Sequence, residues 1–538
     1  MTDPTRRDAL ARLAAAAALL AVGCDDETPM TGLCADTTPS PDEALGTPTL
    51  MGDPFTLGVA SGDPLPDGVV IWTRLAPDPL AEDGAGGMPA AAVAVEWAVA
   101  EDADFTRVVQ RGVAAARPER GHAVHVDVRC LAPATRYHYR FWYGETPSPA
   151  GRTRTAPAAD ARPEAMTIAV GSCQDYRDGY YTAQRHLADE DVDVVLFVGD
   201  YIYEQPGEAL VRAHVGEEPR DLAGYRRRYG LYKSDPNLQA AHAAHPWVCT
   251  WDDHEVDGNY AGENGQEMVS REDFLARRAA AYRVWQEHLP VRLPSVEGDE
   301  VRIYRRFDYG DLCRICVLDT RQYRDRQPCD SDGFSLMCPE WAGYDGALLG
   351  AAQEAWLADS LRGSPARWNA VAQQVVMTST LLLQGRLGNN DQWDGYPQAQ
   401  QRVRDLFAEP GVADVIVLTG DLHAAGVGRL TAQIDDAESE TVAVELLGTS
   451  FTSRNQTQED SAAAEFLTSF VEELPQIEYF DLTRRGYLLC RVERDRWEAR
   501  FRVVSTVAEE TASVSDAAVF AVERGSGRLT RLDAPEEE

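Results

Sequence analysis

The chain has 538 residues and a formal net charge of −36 at pH 7, and 44% of its residues are hydrophobic. This length exceeds what one ordinary core accommodates, so two or more domains are expected. The hydrophobic content excludes a disordered chain, and the negative charge argues against nonspecific binding to nucleic acid, which needs a basic face. An anionic ligand would be repelled unless local cations reverse the field.

Residues 1–24 are predicted to be a targeting peptide of the Tat type, not part of the fold. Two arginines precede an apolar stretch, Ala9–Val22, that is too short to span a bilayer and ends beside Cys24. The arginine pair indicates Tat export, with an ordinary Sec signal as the alternative, and Cys24 is a candidate for lipid attachment. We therefore expect an exported lipoprotein, periplasmic or on the cell surface, that contacts the membrane only through a lipid on Cys24. Residues 25–52 are predicted to be a linker.

Residues 53–157 show short runs of alternating hydrophobicity that are separated by turn residues. Runs of this kind, without an intervening helical pattern, are typical of an all-β sandwich. We therefore predict an immunoglobulin-like β-sandwich in this region. Its strands are predicted at Val69–Trp72, Val93–Val99, His122–Val128 and Arg136–Trp142.

Residues 158–510 change to an alternation of strands, loops and helices, which indicates an α/β domain. The chain then ends in a predicted carboxyl-terminal tail, residues 511–538, whose last residues are acidic. Within the α/β domain, helices are predicted at Tyr181–Asp189, Arg271–Leu289 and Gly350–Leu361.

Four short apolar runs of the α/β domain share one feature, because each leads directly into side chains that can bind a metal ion. The run Val194–Val198 is rich in β-branched residues, predicts a strand buried on both faces, and leads to Asp200. Open α/β sheets place their ligands at the carboxyl ends of such strands. The repetition therefore predicts a metal-dependent enzyme. The other runs are Met166–Val170, followed by Cys173; Trp247–Trp251, followed by Asp252, Asp253, His254 and Glu255; and Val415–Thr419, followed by Asp421 and His423.

The residue types after these strands suit hard, acidic cations. The Asp200 carboxylate can bridge two metal ions, and Tyr203 lies three residues further on. A phenolate ligand favours iron(III), because the phenol must lose a proton of pKa about 10. Asp421 and His423 share one face of an extended segment, so both can reach one site. Cys173 joins this group only if its strand lies beside that of Asp200, since a buried cysteine is more often a small apolar residue.

The ten cysteines fit an exported protein in an oxidising environment. Cys329 and Cys338 bracket a polar loop, and we predict that they form a disulfide. Cys313 and Cys316 are three residues apart in a strand-like run, where their side chains point to opposite faces. We interpret them as core residues or as partners of other cysteines.

Five motifs occur in order along the chain: DPFTLGVASGDPLPDGVVIWTRL (Asp53–Leu75), GSC (Gly171–Cys173), GDYIYE (Gly199–Glu204), WDDHE (Trp251–Glu255) and GDLH (Gly420–His423). Together they resemble the PhoD family of alkaline phosphatases and phosphodiesterases, over roughly residues 53 to 505. The resemblance implies a four-layer α/β/β/α metallophosphatase sandwich after the β-sandwich, with iron(III) and calcium at its site. It also implies hydrolysis of phosphate monoesters, diesters or both at alkaline pH.

The resemblance also implies roles for the residues at matching motif positions. His254 would lie near the leaving or attacking oxygen, and Asp200 would act through both kinds of metal ion. Arg321, outside these motifs, is a candidate phosphate contact because a guanidinium fork suits phosphate, and a structural ion pair is the alternative. The implied ligands are Cys173, Tyr203 and His423 for iron(III), Asp200 as the bridge to calcium, and Asp253, Asn259 and Asp421 for calcium.

Two positions in this ligand set have alternatives. Asp252 is an alternative to Asp253, and the sequence does not separate them. Many relatives have two asparagines after this motif, whereas this chain has Gly258 before Asn259, so the register of Asn259 stays open.

Two other functions are compatible with the sequence. One is a phospholipase or a teichoic-acid-type phosphodiesterase built on the same scaffold. The other is a non-catalytic surface lipoprotein that binds ligands through its β-sandwich, in which case apolar residues would replace the ligand positions, and none of those positions is apolar. We therefore favour an enzyme that acts on a phosphate ester, shows no nucleic acid specificity and is a monomer.

Overall fold

In the described part of the chain, two large β-sheets and seven α-helices form most of the fold. The computed structural model describes residues 45–206, 209–265, 269–293, 301–382, 385–434, 436–454 and 461–533. The predicted targeting peptide and most of the predicted linker lie outside these residues. None of the described helices is long and apolar enough to cross a membrane.

The strands and helices are numbered in chain order. The strands are β1 (Val59–Leu65), β2 (Gly68–Arg74), β3 (Val93–Ala100), β4 (Val108–Ala116), β5 (Ala123–Val128), β6 (Arg136–Tyr143), β7 (Thr146–Pro147), β8 (Gly151–Arg154), β9 (Ala165–Gly171), β10 (Val194–Val198), β11 (Pro246–Thr250), β12 (Arg305–Tyr309), β13 (Cys313–Val317), β14 (Phe334–Leu336), β15 (Trp368–Ala372), β16 (Leu387–Asn389), β17 (Val415–Thr419), β18 (Ala425–Gln433), β19 (Asp436–Leu447), β20 (Ile477–Asp481), β21 (Arg485–Glu493), β22 (Arg496–Val504), β23 (Val514–Glu523) and β24 (Arg528–Arg531). The helices are α1 (Thr182–Asp189), α2 (Leu222–Lys233), α3 (Pro236–Ala244), α4 (Arg271–His288), α5 (Ala351–Arg362), α6 (Pro397–Phe407) and α7 (Ser461–Glu472).

The larger sheet has ten strands in the order β24-β23-β22-β21-β9-β10-β11-β1-β2-β5. Its middle strands β9, β10 and β11 run parallel, and β1 pairs with β11 in parallel through Ser61 with Pro246 and Gly62 with Trp247. Three strands of the predicted amino-terminal domain therefore belong to the same sheet as strands of the α/β domain. At the opposite edge, β23 and β24 extend the sheet into the segment predicted as the carboxyl-terminal tail.

The second large sheet has seven strands in the order β12-β13-β15-β17-β19-β18-β20. Strands β13, β15, β17 and β19 run parallel, so their carboxyl ends lie at one edge of the sheet. The connections from β13 to β15 and from β15 to β17 contain α5 and α6, as crossovers between parallel strands require.

An apolar core joins the two large sheets. It contains Ile168 and Leu196 from the larger sheet and Ile315 and Leu418 from the smaller one. Phe197, the neighbour of Leu196 on β10, belongs to a different cluster on the opposite side of the sheet. All five residues of β10 are buried, which confirms the prediction of a strand buried on both faces. The two sheets therefore face each other, and β9, β10 and β11 lie inside the fold.

Most elements predicted from hydrophobic patterns are present with small shifts at their ends. The bounds of β10 and β17 are as predicted, and α4 ends one residue before the predicted end. Helices α2 and α3 had no counterpart in the prediction. In α2 all residues from Arg228 to Lys233 are buried, so this helix has no polar stripe from which a helical period could be recognised. The fold is mixed α/β with several sheets.

The amino-terminal region also contributes a separate five-stranded sheet, formed by β3, β4, β6, β7 and β8. All four strands that hydrophobic alternation predicted are present, as β2, β3, β5 and β6. One apolar cluster contains Ile71 and Val126 together with Val95 and Phe141, so the five-stranded sheet packs against the β1-β2-β5 end of the larger sheet. The immunoglobulin-like class and the boundary at residue 157 stay predictions.

Two of the predictions made for the cysteines are confirmed. Cys329 and Cys338 form a disulfide, with their Cα atoms 5.3 Å apart. Cys313 and Cys316 are buried free thiols that belong to two different apolar clusters, on opposite faces of β13. Cys130 is also disulfide-bonded.

The only lysine of the chain, Lys233, lies in the interior at the end of α2. Its Nζ atom is 4.3 Å from the centre of the Trp72 ring and donates a hydrogen bond of 3.2 Å to the Tyr201 hydroxyl. Burial lowers the pKa of Lys233 from 10.5 to about 7. Since Trp72 lies on β2 and Tyr201 follows β10, this side chain joins the amino-terminal strands to the loop that carries Asp200.

We expect Lys233 to make the stability of the fold depend on pH. Between about pH 7 and pH 10.5 the unfolded chain keeps a proton on this amine that the folded chain has released, so the free energy of unfolding rises with pH. The Lys233→Met variant removes this contribution. Thermal unfolding at several pH values should show the wild type gaining stability relative to Lys233→Met as the pH rises. A difference that stays constant over this range would contradict the prediction.

Candidate metal centre

Four loops meet at one edge of the two large sheets. Three of them follow β9, β10 and β11, which are neighbours in the larger sheet, and the fourth follows β17 in the smaller sheet. The backbone N–H of Cys173 donates to the carbonyl oxygen of Gly199 at 3.1 Å and joins two of these loops. A Cβ atom on Gly420 would lie 2.4 Å from the Ser172 hydroxyl oxygen. The glycine at this position therefore allows the fourth loop to approach the first.

The side chains predicted to bind iron(III) lie together. One ligand atom from each of Cys173, Asp200 and His423 lies within 4.8 Å of the others. The Tyr203 hydroxyl donates to Oδ2 of Asp200 at 2.8 Å and lies 3.0 Å from Nε2 of His423. Nδ1 of His423 is 2.8 Å from the carbonyl oxygen of Arg454, so the hydrogen is on Nδ1 and the unprotonated Nε2 faces the group.

The carboxylates predicted to bind calcium form a second group that shares Asp200 with the first. One oxygen from each of Asp200, Asp252, Asp253 and Asp421 lies within 4.8 Å of the others. The backbone N–H of Asn259 donates to Oδ2 of Asp253 at 2.6 Å, so Asn259 adjoins this group. The structure thus brings all the predicted ligands to one place.

A cavity of about 540 Å³ opens over both groups. Its lining also includes Arg177 and Arg454, which the sequence patterns did not identify because nothing distinguishes them from the other arginines of the chain. Arg177 is 2.5 Å from a carboxylate oxygen of Asp175, and Arg454 is 3.6 Å from one of Asp178. Of the predicted site residues, the lining includes Asp200, Tyr203, Asp253, His254, Asn259, Asp421 and His423.

Five of the seven predicted metal ligands have a left-handed backbone conformation. Only 13 described residues other than glycine have a positive φ, so this conformation is concentrated at the site. Such a conformation costs about 1 kcal/mol or more and persists only where the surrounding structure enforces it. The φ angles are 56° for Cys173, 58° for Asp200, 51° for Asn259, 62° for Asp421 and 56° for His423.

Burial and mutual repulsion disfavour the ionised forms of most of these side chains. Asp253 is the exception, because Arg321 and His254 outweigh burial there and lower its pKa. Burial, followed by the charge of Asp253, raises the pKa of Asp200 well above its usual value. Burial likewise raises the pKa values of Asp252, Asp421 and the Cys173 thiol. A bound cation would reverse these shifts, because it favours the charged form of every group around it. Oδ2 of Asp252 and Oδ1 of Asp253 are also buried and accept no hydrogen bond, although Nη2 of Arg321 lies 3.2 Å from the latter, so the donor set fits a metal ion.

Arg321 is completely buried, and carboxylates surround its guanidinium group. Nε donates to Asp252, and Nη1 lies 2.8 Å from Asp391. Nη2 lies 3.2 Å from Asp253 and 3.5 Å from Asp421. Arg321 does not line the cavity. This arrangement supports the alternative of a structural ion pair, and it gives no support to the predicted contact with phosphate.

His254 and Glu204 form a pair beside the ring of Tyr203. Nδ1 of His254 is 2.8 Å from Oε2 of Glu204, whose Oε1 accepts a hydrogen bond of 2.9 Å from the backbone of Gly258. The ring centres of His254 and Tyr203 are 4.2 Å apart. Burial opposes protonation of His254, but Glu204 and the nearby aspartates raise the pKa of the imidazole well above its usual value. His254 was predicted as a site residue from its motif, whereas Glu204 was not, although it ends the GDYIYE motif.

Glu255 holds two of the four loops together. Its carboxylate accepts backbone hydrogen bonds from Asp200 at 3.1 Å, from Tyr201 at 2.6 Å and from Asp252 at 2.8 Å. Glu255 is fully buried, and burial raises its pKa to about 7. This glutamate therefore acts on the geometry of the site through the backbone of two predicted ligand loops.

The fold and the site define a mixed α/β protein with a buried group of Asp, His and Cys side chains that can bind metal ions. Residues 168–501 match the PhoD-like phosphatase family, and residues 41–157 match the amino-terminal domain of PhoD-like phosphatases. Alkaline phosphatase D of Bacillus subtilis (strain 168) is 42% identical over 501 residues, which cover 91% of this chain and 85% of that protein.

A solved structure described as PhoD superposes with a TM-score of 0.85 and is 41% identical, over 91% of this chain and 94% of that chain. The chain therefore belongs to the PhoD-like phosphatase family, and the sequence resemblance is confirmed. It is a phosphoric ester hydrolase with the fold of PhoD.

We predict that Glu255→Gln lowers both the stability of the fold and the metal content of the protein. The amide would direct an N–H group at a backbone N–H, so at least one of the three hydrogen bonds is lost, at a cost of about 1 to 3 kcal/mol. Thermal unfolding should show this loss, and elemental analysis should show a lower metal content. Glu263→Gln, which changes an exposed glutamate paired with Arg271, is the control. Equal stability and metal content in both variants would contradict the role of Glu255.

Proposed function

We propose that this phosphatase hydrolyses phosphate monoesters, diesters or both at alkaline pH, outside the cytoplasm, with iron(III) and calcium at the site described above. The observation that carries this proposal is the meeting of thiol, phenol, imidazole and carboxylate ligands from four separate loops beneath one cavity. Membership of the PhoD-like phosphatase family supports it independently.

The geometry supports a particular assignment of ligands. Asp253 lines the cavity. Asp252 does not line it, and its carboxylate accepts a hydrogen bond from Arg321 instead. Of the two, Asp253 is therefore favoured as the ligand. Bound cations would supply positive charge for the phosphate oxygens and for the negative charge that develops during hydrolysis. In this assignment Cys173, Tyr203 and His423 would hold iron(III), Asp253, Asn259 and Asp421 would hold calcium, and Asp200 would be a ligand of both kinds of ion.

His254 is the group best placed to handle a proton in the reaction. Glu204 fixes the orientation of the imidazole through Nδ1. This leaves Nε2, 3.8 Å from Oδ2 of Asp253, as the atom that can donate a proton to the leaving oxygen. The Tyr203 ring packs against the imidazole and limits its rotation.

Arg321 serves a different purpose, because it keeps Asp252, Asp253 and Asp421 close together against their repulsion.

The finer architecture and the cellular setting belong to the same proposal. The two facing sheets with helices on their outer sides support a four-layer α/β/β/α sandwich, and the alternating strands of residues 53–157 support an immunoglobulin-like domain before it.

A Tat-type signal in residues 1–24 and a lipid on Cys24 would place a monomeric enzyme in the periplasm or on the cell surface. Mass spectrometry of the membrane fraction, with Cys24→Ala as the control, tests the lipid.

The phospholipase or teichoic-acid-type phosphodiesterase remains the second candidate. A cavity of about 540 Å³ is several times larger than a phosphate group and leaves room for both substituents of a diester. Rates measured side by side on a phosphate monoester and on a diester with the same leaving group decide between the two activities. A much higher rate on the diester would establish the second candidate.

Asp200→Asn is expected to lower turnover by about a thousandfold or more while the fold is retained, because the bridging carboxylate loses its charge. Hydrolysis rates at alkaline pH, circular dichroism and elemental analysis of protein purified without chelator measure this effect. Asp67→Asn, at an exposed aspartate paired with Arg129, is the control and should behave as the wild type. An Asp200→Asn enzyme with bound metal and a near-normal rate would remove the assignment.

Tyr203→Phe is expected to abolish any yellow or purple absorption of the purified protein, because that colour arises from charge transfer between phenolate and iron(III). Tyr201→Phe is the matched control, since Tyr201 is equally buried but its hydroxyl bonds to His242. Visible absorption spectra of both variants measure the effect. A spectrum of Tyr203→Phe identical to that of the wild type would count against a phenolate ligand.

A further inference from the structure

A disulfide-closed loop with two exposed apolar side chains stands beside the cavity. Cys329 and Cys338 close the loop, and its short strand β14 pairs with β16. Phe334 is 56% exposed and Leu336 is 68% exposed. We refer to these two side chains as the apolar ledge. Contiguous apolar surface that is exposed marks contact sites, whereas single exposed apolar side chains do not.

The strand register shows which way the ledge points. Phe334 lies directly opposite Asn389, and Leu336 directly opposite Leu387. Residues opposite each other in an antiparallel pair project from the same face, and so do residues two apart on one strand. Asn389 lines the cavity. Phe334 and Leu336 do not line the cavity themselves, but the ledge projects from the same face of this two-stranded sheet as Asn389, a residue of the cavity wall.

The ledge is fixed in place from several sides. The backbone of Asn390 donates to the carbonyl oxygen of Gly333 at 3.0 Å, and its side chain donates to the Ser335 hydroxyl at 2.9 Å. Nδ2 of Asn259 donates to the carbonyl oxygen of Asp332 at 2.7 Å. The loop is thus bonded to a proposed calcium ligand, and a substrate that contacts the ledge meets a surface already ordered.

A further apolar residue lies at the cavity. Leu210 lines the cavity and is 46% exposed. The phosphate end of a substrate belongs at the metal ligands, so its alcohol end must extend toward the opening of the cavity. Apolar surface at the opening stabilises the bound state of a substrate whose alcohol carries an aryl or alkyl group. It does not stabilise the bound state of a substrate with a polar alcohol.

We propose that the apolar ledge binds the alcohol part of the substrate, so that this enzyme prefers phosphate esters of alcohols bearing an aryl or alkyl group. The proposal rests on the proposed function, since it concerns the substrate of the same site. The ledge contacts a part of the substrate that does not react, so its contribution is the same before and during the reaction. It therefore affects KM and leaves kcat nearly unchanged.

The test compares two monoesters on the metal-loaded enzyme, phenyl phosphate and glycerol 3-phosphate. In the double variant Phe334→Ser/Leu336→Ser, kcat/KM for phenyl phosphate should fall about tenfold, mainly through KM. For glycerol 3-phosphate it should change by less than about twofold, because that alcohol is polar. Val108→Ser/Val109→Ser, at two exposed apolar residues of β4, is the control and should change neither value.

The outcomes separate the ledge from the proposed function. A wild-type enzyme that hydrolyses neither these two monoesters nor the diester diphenyl phosphate would overturn the proposed function. If the wild type hydrolyses both monoesters, the proposed function stands. If kcat/KM of the double variant then falls equally for both monoesters, or for neither, the proposed role of the apolar ledge is overturned. The double variant could keep its rates on both monoesters and no longer co-sediment with phosphatidylcholine vesicles. That result would show that the apolar ledge contacts a lipid surface, and it would overturn the proposal.

A binding measurement on the wild type is independent of how the double variant folds. Calorimetry with benzylphosphonate and methylphosphonate, neither of which is an ester, should give a Kd for the benzyl compound about tenfold lower. Phe334→Leu keeps an apolar side chain and should retain most of this difference. Equal affinities for the two phosphonates in the wild type would overturn the proposal.

Discussion

Mutual repulsion of buried negative charges is the constraint on which the rest of this structure depends. Oxygen atoms of Asp200, Asp252, Asp253 and Asp421 lie within 4.8 Å of one another in the interior. Like charges this close raise each other's pKa and lower the free energy of unfolding unless positive charge compensates them. Arg321 supplies one positive charge. Further compensation must come from bound cations or from protons, and the family of phosphatases to which the chain belongs is consistent with the former.

The architecture supplies the geometry that this repulsion opposes. Two sheets face each other across an apolar core, so the loops after β9, β10 and β11 meet the loop after β17. Glu255 ties two of these loops together through three backbone hydrogen bonds. The backbone at Cys173, Asp200 and His423 is held in the left-handed region. The fold thus offsets local strain and repulsion with core packing elsewhere.

The surroundings of the cavity reconcile an acidic protein with an anionic substrate. The chain carries a formal charge of −36, which repels phosphate at long range. Within the cavity, Arg177 and Arg454 are paired with Asp175 and Asp178, so net positive charge for an anionic substrate must come from bound cations. The apolar ledge adds an attraction that does not depend on charge. Recognition of the substrate therefore relies on short-range contacts, as expected where long-range electrostatics are unfavourable.

Local patterns were sufficient for the strands that lead into the four loops and for the disulfide between Cys329 and Cys338, because each depends on residues near one another in the chain. The same patterns named the side chains that meet beneath the cavity, whose binding of metal ions stays a prediction. The mixed α/β class followed from the same patterns. The carboxylate partners of Arg321, the pairing of β1 with β11 and the place of Phe334 beside Asn389 emerged only in three dimensions. These contacts join segments 55 to almost 200 positions apart, and no periodicity or motif within a segment encodes which distant segment it meets.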